Sequence, residues 1–201
     1  RRITEADALR HALALLRRGE VIALPTDTVY GIACDSQNAD AIAELYAIKE
    51  RPRDKAIPLL LSSERQLLDV ANDPPSQAWE IAAQHWPGAL TLVLAAAPHL
   101  PPILTAGGDT VAVRLPNSRF VRVLGAGLGR PLAVTSANLS NHPNTTTAAE
   151  VMAQIGDRLS LVLDGGATPG DQPSTVLDLS RRPPRILREG PISAEMLAPW
   201  L

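Results

Sequence analysis

The most informative segment of the chain is VIALPTDTVYGIACDSQNADAIAELYAIKERPRDKAIPLLLSS, residues 21–63. It predicts five successive elements: a strand at residues 21–24, a polar turn at 25–31, a helix capped by Asn38, a basic loop at 49–55 and an apolar strand at 57–61. The turn places hydroxyls, a carboxylate and a glycine at the end of an apolar run. The loop carries four cations in seven residues. A hydroxyl-rich strand end beside a cationic loop suits a small polar substrate together with a polyphosphate.

The rest of the chain alternates between helical and extended patterns. Helical spacing and capping residues predict helices that begin at Thr4, Ser63, Ser76, Ser118, Thr146 or Thr147, and Ser193. Apolar or alternating runs predict strands at residues 90–95, 110–115, 132–134, 159–163, 174–179 and 185–187. The glycine-rich residues 125–129 are predicted to form a loop. The expected fold class is α/β, with one domain over residues 1–201 built on a twisted mixed sheet with flanking helices.

The composition excludes several classes of protein. The chain has 201 residues, 45% of them hydrophobic, so it is long enough to bury a core. Because the net charge is −2, any anion binding must be local rather than spread over the surface. The single cysteine, Cys34, excludes an internal disulfide and a cysteine-based metal cluster, which favours a cytoplasmic location. No apolar run approaches about 18 residues, so we predict no membrane-spanning helix and no membrane partner.

Polar side chains lie in or beside four of the predicted strands. The four clusters are Thr26 with Thr28, Thr110 with Arg114, Thr135 with Ser136 and Asn138, and Ser174 with Thr175. One such cluster usually reflects turn chemistry, because Ser, Thr and Asn bond nearby backbone groups. Ligands of open α/β sheets collect at strand ends. Four clusters, one of which contains an arginine, therefore favour a shared binding site.

The basic loop at residues 49–55 has two interpretations. It could be a solvated run of charge. Its position between a helix and a buried strand, with Pro52 stiffening it, favours an anion site. Arginine offers a planar fork to phosphate oxygens, and lysine offers a point charge.

Several familiar motifs are absent from the sequence. No P-loop pattern occurs, so ATP would not be held by one. The glycine-rich residues 125–129 fail the dinucleotide pattern, because Arg130 stands where its third glycine belongs. The four histidines lack metal-ligand spacing, and no serine lies in G-x-S-x-G. Cys34 is expected to be a small core residue, and Trp86 a packing residue at a turn.

Seven segments, in this order, resemble the YrdC/TsaC-like family, the L-threonylcarbamoyladenylate synthases. They are PTDTVYG at 25–31, K-x-R-P at 49–52 with Lys55, WPG at 86–88, VAVRLP at 111–116, TSANLS at 135–140, STV at 174–176 and ILREG at 186–190. The segments span nearly the whole chain, so the resemblance rests on their combination.

The resemblance implies a sheet around a concave, positively lined cavity. It implies a reaction that joins L-threonine, bicarbonate or CO2, and ATP into threonylcarbamoyl-AMP and pyrophosphate. Mg2+ would normally take part, held through the phosphates rather than by dedicated protein ligands. A partner complex would then transfer the threonylcarbamoyl group to the adenosine beside the tRNA anticodon.

The resemblance also assigns individual residues by position. L-Threonine would be bound by Thr28, Arg114, Ser174 and the backbone at Val134. The ATP site would comprise Lys49, Arg51, Lys55, Thr110, Ser136, Asn138, Asn144 and Arg188. The first three would be catalytic, because they would offset charge on the leaving pyrophosphate. Asn144 and Arg188 rest on the resemblance alone, whereas most of the others coincide with the polar clusters.

One departure from the family pattern concerns a histidine that many relatives carry shortly after the Pro-Leu that follows the basic loop. Here Pro58-Leu59 leads into Leu60-Leu61-Ser62, so that threonine contact is absent or comes from another residue. Three other functions stay open: a module that binds double-stranded RNA or tRNA without catalysis, a carbamoyl-transfer domain, and an ATP or amino-acid sensor without turnover. The single cysteine argues against the carbamoyl-transfer domain, which normally belongs to a longer chain with metal-binding cysteines.

Overall fold

The computed structural model describes residues 4–170 and 172–201. Within them, nine strands form one sheet: β1 Ile22–Pro25, β2 Tyr30–Asp35, β3 Leu59–Leu60, β4 Leu90–Ala95, β5 Thr110–Arg114, β6 Leu132–Ser136, β7 Leu161–Val162, β8 Thr175–Asp178 and β9 Arg185–Arg188. Their order is β7-β1-β2-β6-β3-β5-β4-β8-β9. The pairs β1–β7, β3–β5 and β4–β8 are parallel and the others antiparallel. The predicted mixed sheet is confirmed.

Seven α-helices accompany the sheet in the described part of the chain. They are α1 Glu5–Arg17, α2 Ala39–Lys49, α3 Leu67–Val70, α4 Ser76–His85, α5 Arg119–Leu128, α6 Ala148–Ile155 and α7 Ala194–Leu197. Thr4, Asn38 and Thr147 accept hydrogen bonds from first-turn N–H groups, as predicted. These caps satisfy donors that the helix itself leaves free, so local sequence sets where the helices begin. None of the described helices is both long and apolar enough to cross a bilayer.

Apolar packing covers the two faces of the sheet unequally. A large cluster runs along one face across both halves of the sheet and includes Ile32, Leu92 and Leu177. A second cluster on the other face joins α1 and α5 to β7, β1, β2, β6 and β3, with members such as Leu24 and Leu132. In the described chain this second cluster contains no residue of β5, β4, β8 or β9. We call the two parts of this face the covered half (β7-β1-β2-β6-β3) and the open half (β5-β4-β8-β9).

The structure corrects the sequence analysis at β2 and at residues 125–129. The strand β2, which sequence reasoning missed, pairs with β1 and with β6, and all six of its residues are buried. The predicted loop at residues 125–129 is wrong, because α5 continues to Leu128. A Cβ at Gly127 would lie 2.8 Å from Leu13 Cδ1, so glycine there permits close approach of α5 to α1. Gly129, with φ of 82°, ends the helix in the left-handed conformation.

Candidate functional site

A pocket of about 260 Å³ lies where the covered half of the face meets the open half. Seven strands contribute to its lining, which includes Gly31, Leu60, Thr91, Ala112, Arg114, Val134, Ser136, Val176 and Arg188, with Thr28, Arg51 and Ser174 from the adjoining loops. Among the described lining residues three are arginines and none is acidic. The lining therefore suits an anionic ligand.

Arg114 ends β5 and is 5% exposed. Its guanidinium forms an ion pair with Asp27, and its Nη1 donates to Thr28 Oγ1 over 3.3 Å. Asp27 is held in turn by the backbone N–H of Asn117, which donates to its Oδ2 over 2.8 Å. Burial lowers the pKa of Arg114, and the neighbouring Asp27 carboxylate opposes that shift. Its Nε is buried and has no hydrogen-bond partner within the described structure.

Hydroxyl groups lie on both sides of Arg114. Thr26 Oγ1 accepts from the backbone N–H of Thr28 over 3.1 Å and lies 3.0 Å from Thr28 Oγ1. Across the pocket, Thr91 Oγ1 lies 2.7 Å from Ser174 Oγ. Arg188 donates to the carbonyl of Ser174 from Nε and Nη2, over 3.0 and 2.8 Å. These bonds fix two hydroxyl pairs at the pocket before any ligand arrives.

Lys49 is the last residue of α2 rather than part of the basic loop, which corrects the predicted boundary. The helix ends only at Glu50, which adopts the left-handed conformation with φ of 53°. Lys49 is 3% exposed, and its ammonium donates to acceptors of Ser136 and Asn138. Burial, with a smaller contribution from Arg51, lowers the pKa of Lys49 to about 7. Its N–H donors are thus used inside the protein, directly behind the pocket wall.

The basic loop wraps around its own carbonyl groups. Arg51 lines the pocket, and it donates from Nε to the Lys55 carbonyl over 2.9 Å and from Nη2 to the Ala56 carbonyl over 2.8 Å. The guanidinium carbon of Arg53 lies 5.1 Å from the centre of the Tyr46 ring. The Tyr46 hydroxyl donates to the carbonyl of Lys55 over 2.9 Å. Among the described residues of this loop, Arg51 is the cation that lines the pocket.

The structure brings together seven of the twelve residues assigned from the sequence: Thr28, Arg51, Arg114, Val134, Ser136, Ser174 and Arg188. Lys49 and Asn138 lie behind Ser136. The other three, Lys55, Thr110 and Asn144, are not part of the lining. Thr110 lies on the same face of β5 as Ala112 and Arg114, roughly 13 Å from Arg114 along the strand. A ligand would have to extend over the open half to reach it.

Two site residues were missed by the sequence assignments. Thr91 is the single hydroxyl in the apolar run LTLVLA at residues 90–95, and Asp27 is the single carboxylate of the PTDTVYG turn. Both residues stand out in the sequence, but nothing in the sequence indicated that Thr91 would pair with Ser174 or Asp27 with Arg114. Leu60 lies beside Arg114 in register and makes this part of the wall apolar. Among the described residues, no three His, Cys, Asp or Glu side chains come together as a metal site.

The chain is similar to known proteins over most of its length. The Sua5/YciO/YrdC family model, described as "Telomere recombination", matches residues 14–190. A threonylcarbamoyl-AMP synthase of Bacillus subtilis is 38% identical over 195 residues, which are 96% of this chain and 56% of that protein. One of Vibrio parahaemolyticus is 36% identical over 186 residues, which are 92% of this chain and 100% of that protein.

Solved structures show the same fold. The crystal structure of Pyrococcus abyssi Sua5 complexed with L-threonine has a TM-score of 0.94 and 36% sequence identity to this chain. The match covers 100% of this chain and 59% of that chain. This chain therefore spans little more than half the length of the Bacillus and Pyrococcus relatives.

Proposed function

Because this chain belongs to the Sua5/YciO/YrdC family, we propose that it catalyses the threonylcarbamoyl-AMP synthase reaction. L-Threonine, bicarbonate or CO2, and ATP would give threonylcarbamoyl-AMP and pyrophosphate. The observation that carries the proposal is Arg114, a buried guanidinium that lines the pocket together with two further arginines. An amino-acid carboxylate beside a polyphosphate matches that arrangement of donors.

The threonine site would lie around Arg114. The Arg114 guanidinium would pair with the α-carboxylate, and the hydroxyls of Thr28 and Ser174 would bond the polar groups of the amino acid. The backbone at Val134 would complete the site. Leu60 offers an apolar contact, so the methyl group of threonine has a surface to pack against.

The nucleotide would extend from the pocket over the open half of the face. Arg51 and Arg188 would contact the phosphates, with Lys55 reaching in from its exposed position and Ser136 donating from the wall. We assign Thr110, Asn138 and Asn144 to the same nucleotide site. Mg2+ would arrive with ATP as part of the substrate, because the described residues offer no cluster of metal ligands.

The chemistry needs positioning and charge neutralisation more than a protein nucleophile. The threonine amine attacks CO2 and releases a proton, or attacks bicarbonate and releases water, to give a carbamate. A carbamate oxygen then attacks the α-phosphorus, and the bond from that phosphorus to the pyrophosphate oxygen breaks. Arg51 and Lys55 would offset the charge that develops on the leaving pyrophosphate.

The product would pass to a threonylcarbamoyl transferase complex that acts on tRNA. We place this reaction in the cytoplasm and treat residues 1–201 as one domain. Weak direct binding of tRNA through the exposed cations of the basic loop belongs to the same proposal.

Pyrophosphate release tests this function directly. Purified protein with ATP, bicarbonate and Mg2+ should release pyrophosphate only when L-threonine is added, and mass spectrometry should detect threonylcarbamoyl-AMP. L-Serine in place of threonine measures the selectivity of the pocket. ATP binding without release would instead support a sensor or an RNA-binding module, which a tRNA titration at several salt concentrations would separate.

A further inference from the structure

Lys49 ties helix α2 to the turn that follows β6. Its ammonium lies 2.7 Å from the Ser136 carbonyl, 3.2 Å from Ser136 Oγ, and 2.8 Å from both the carbonyl and Oδ1 of Asn138. The backbone N–H of Ser140 donates to the carbonyl of Lys49 over 2.9 Å. Asn138 Nδ2 donates to the carbonyls of Leu139 and His142, over 2.9 and 2.7 Å. The helix end and the turn are therefore joined through both backbone and side chains.

The donors of Lys49 are already in use. An ammonium group has three N–H donors, and four acceptors compete for them here. Within the described structure Lys49 is in none of the ion pairs. Arg51 is the charged neighbour that affects it, and the carboxylate of Glu50 is paired with Arg158 over 2.8 Å. To reach a phosphate, Lys49 would have to leave these acceptors unsatisfied in a buried place, which is costly.

The hydrogen bonds of Lys49 support a residue of the pocket lining. Ser136 lines the pocket and Lys49 does not. Resting on the proposed function above, we propose that Lys49 is a positioning residue: its ammonium holds the Ser136 hydroxyl at the nucleotide side of the pocket and makes no contact with the phosphates. Lys49 thus acts on adenylyl transfer through Ser136 and its turn.

A double-mutant cycle tests whether Lys49 acts through Ser136. The variants are Lys49→Met, Ser136→Ala and the double substitution, each measured as kcat/KM for ATP at saturating L-threonine. Misplacement of the turn should lower kcat/KM roughly 100-fold in Lys49→Met. Ser136→Ala should cost less, and it should add no more than about threefold in the Lys49→Met background, because the hydroxyl is already misplaced.

L-Threonine binding separates a positioning role of Lys49 from general damage to the fold, because only general damage would lower the affinity for threonine. Arg114 and Thr28 make no contact with Lys49, so calorimetry should give the same L-threonine affinity in Lys49→Met as in the wild type. Lys49→Gln keeps uncharged donors and should lose less activity than Lys49→Met. It replaces Met in the cycle if the Met variant does not fold.

Arg158→Met is the matched control. Arg158 is also a cation that donates to the end of α2, over 3.0 Å to the carbonyl of Ile48, but its side chain is 38% exposed and outside the pocket. This variant should keep wild-type kcat/KM. If the wild type is active and the losses of kcat/KM from Lys49→Met and Ser136→Ala multiply in the double variant, the positioning role of Lys49 is overturned while the proposed function stands. A wild type that releases no pyrophosphate overturns the proposed function, and this role with it.

Discussion

The covered and open halves of one sheet face differ in what their strands present. On the covered half, Leu24 and Leu132 pack against α1 and α5. On the open half, the corresponding side chains include Thr91, Arg114 and Arg188, which meet at the pocket. The opposite face is apolar behind both halves. The comparison shows that the site is formed where the helices stop covering the sheet.

The strands at the boundary carry both kinds of surface. In β5, Val111 and Val113 are buried in the core, while Ala112 and Arg114 line the pocket. In β6, Leu132 is fully buried under the helices, and Ser136 lines the pocket on the same face. Because side chains alternate with a period of two, one strand can serve the core and a binding site together.

The largest effect should come from deleting core volume in the covered half. Leu124 on α5 is fully buried in the second cluster. Leu124→Ala should lower the free energy of unfolding by about 2–5 kcal/mol, because it leaves a cavity. Val176→Ala on the open half should cost about 1 kcal/mol or less, because Val176 is only half-buried. Urea titrations of both variants measure the difference, and equal losses would contradict the comparison.

Two arginines of the basic loop should differ in their effect on turnover. Arg51 lines the pocket at the boundary, whereas Arg53 stacks on Tyr46. Arg51→Ala should reduce pyrophosphate release roughly 100-fold, because it removes charge stabilisation from the leaving group. Arg53→Ala should stay within about threefold of the wild type. Steady-state kinetics compares the two variants, and near-normal turnover of Arg51→Ala would remove Arg51 from the site.

The carboxylate site on the open half should depend on Arg114. Arg114→Ala should weaken L-threonine binding by roughly 30-fold or more, because charged hydrogen-bond partners in buried sites contribute about 2 kcal/mol or more. ATP affinity should change much less. Isothermal calorimetry with each ligand measures this, and Arg119→Ala removes an exposed cation as the control. Unchanged threonine affinity would argue that the amino acid lies elsewhere.

The last comparison concerns pH and Lys49 at the boundary. Its pKa is lowered to about 7 in the folded protein and is about 10.4 in an unfolded chain. Between those pH values the unfolded state binds one more proton, so stability rises with pH, by up to about 1.4 kcal/mol per pH unit from this group. The stability of the wild type relative to Lys49→Met should therefore increase from pH 7 to pH 9. If the difference in stability between the wild type and Lys49→Met does not change with pH, the pKa of Lys49 is not lowered in the folded protein.

The amino-acid sequence was sufficient to predict the features that depend on short-range signals. Capping residues marked the starts of α1, α2 and α6, and alternation marked β5 as a strand with Arg114 and Thr110 on one face. The order of seven motifs was enough to identify the family, and the four polar strand ends indicated a shared site. These inferences hold because helix starts and strand faces are set by neighbours a few residues apart.

Which polar groups satisfy one another depends on contacts between distant parts of the chain. Lys49 bonds Asn138 from 89 residues away, and Arg114 bonds Asp27 from 87 residues away. Strand β2 is buried between β1 and β6, and α5 continues through Gly127, where it packs closely against Leu13 of α1. A buried charged side chain bonds the polar groups that the fold places next to it, whatever their distance in sequence. Local sequence therefore predicted where the cations are, whereas the fold decided that Arg51 lines the pocket and Lys49 supports its wall.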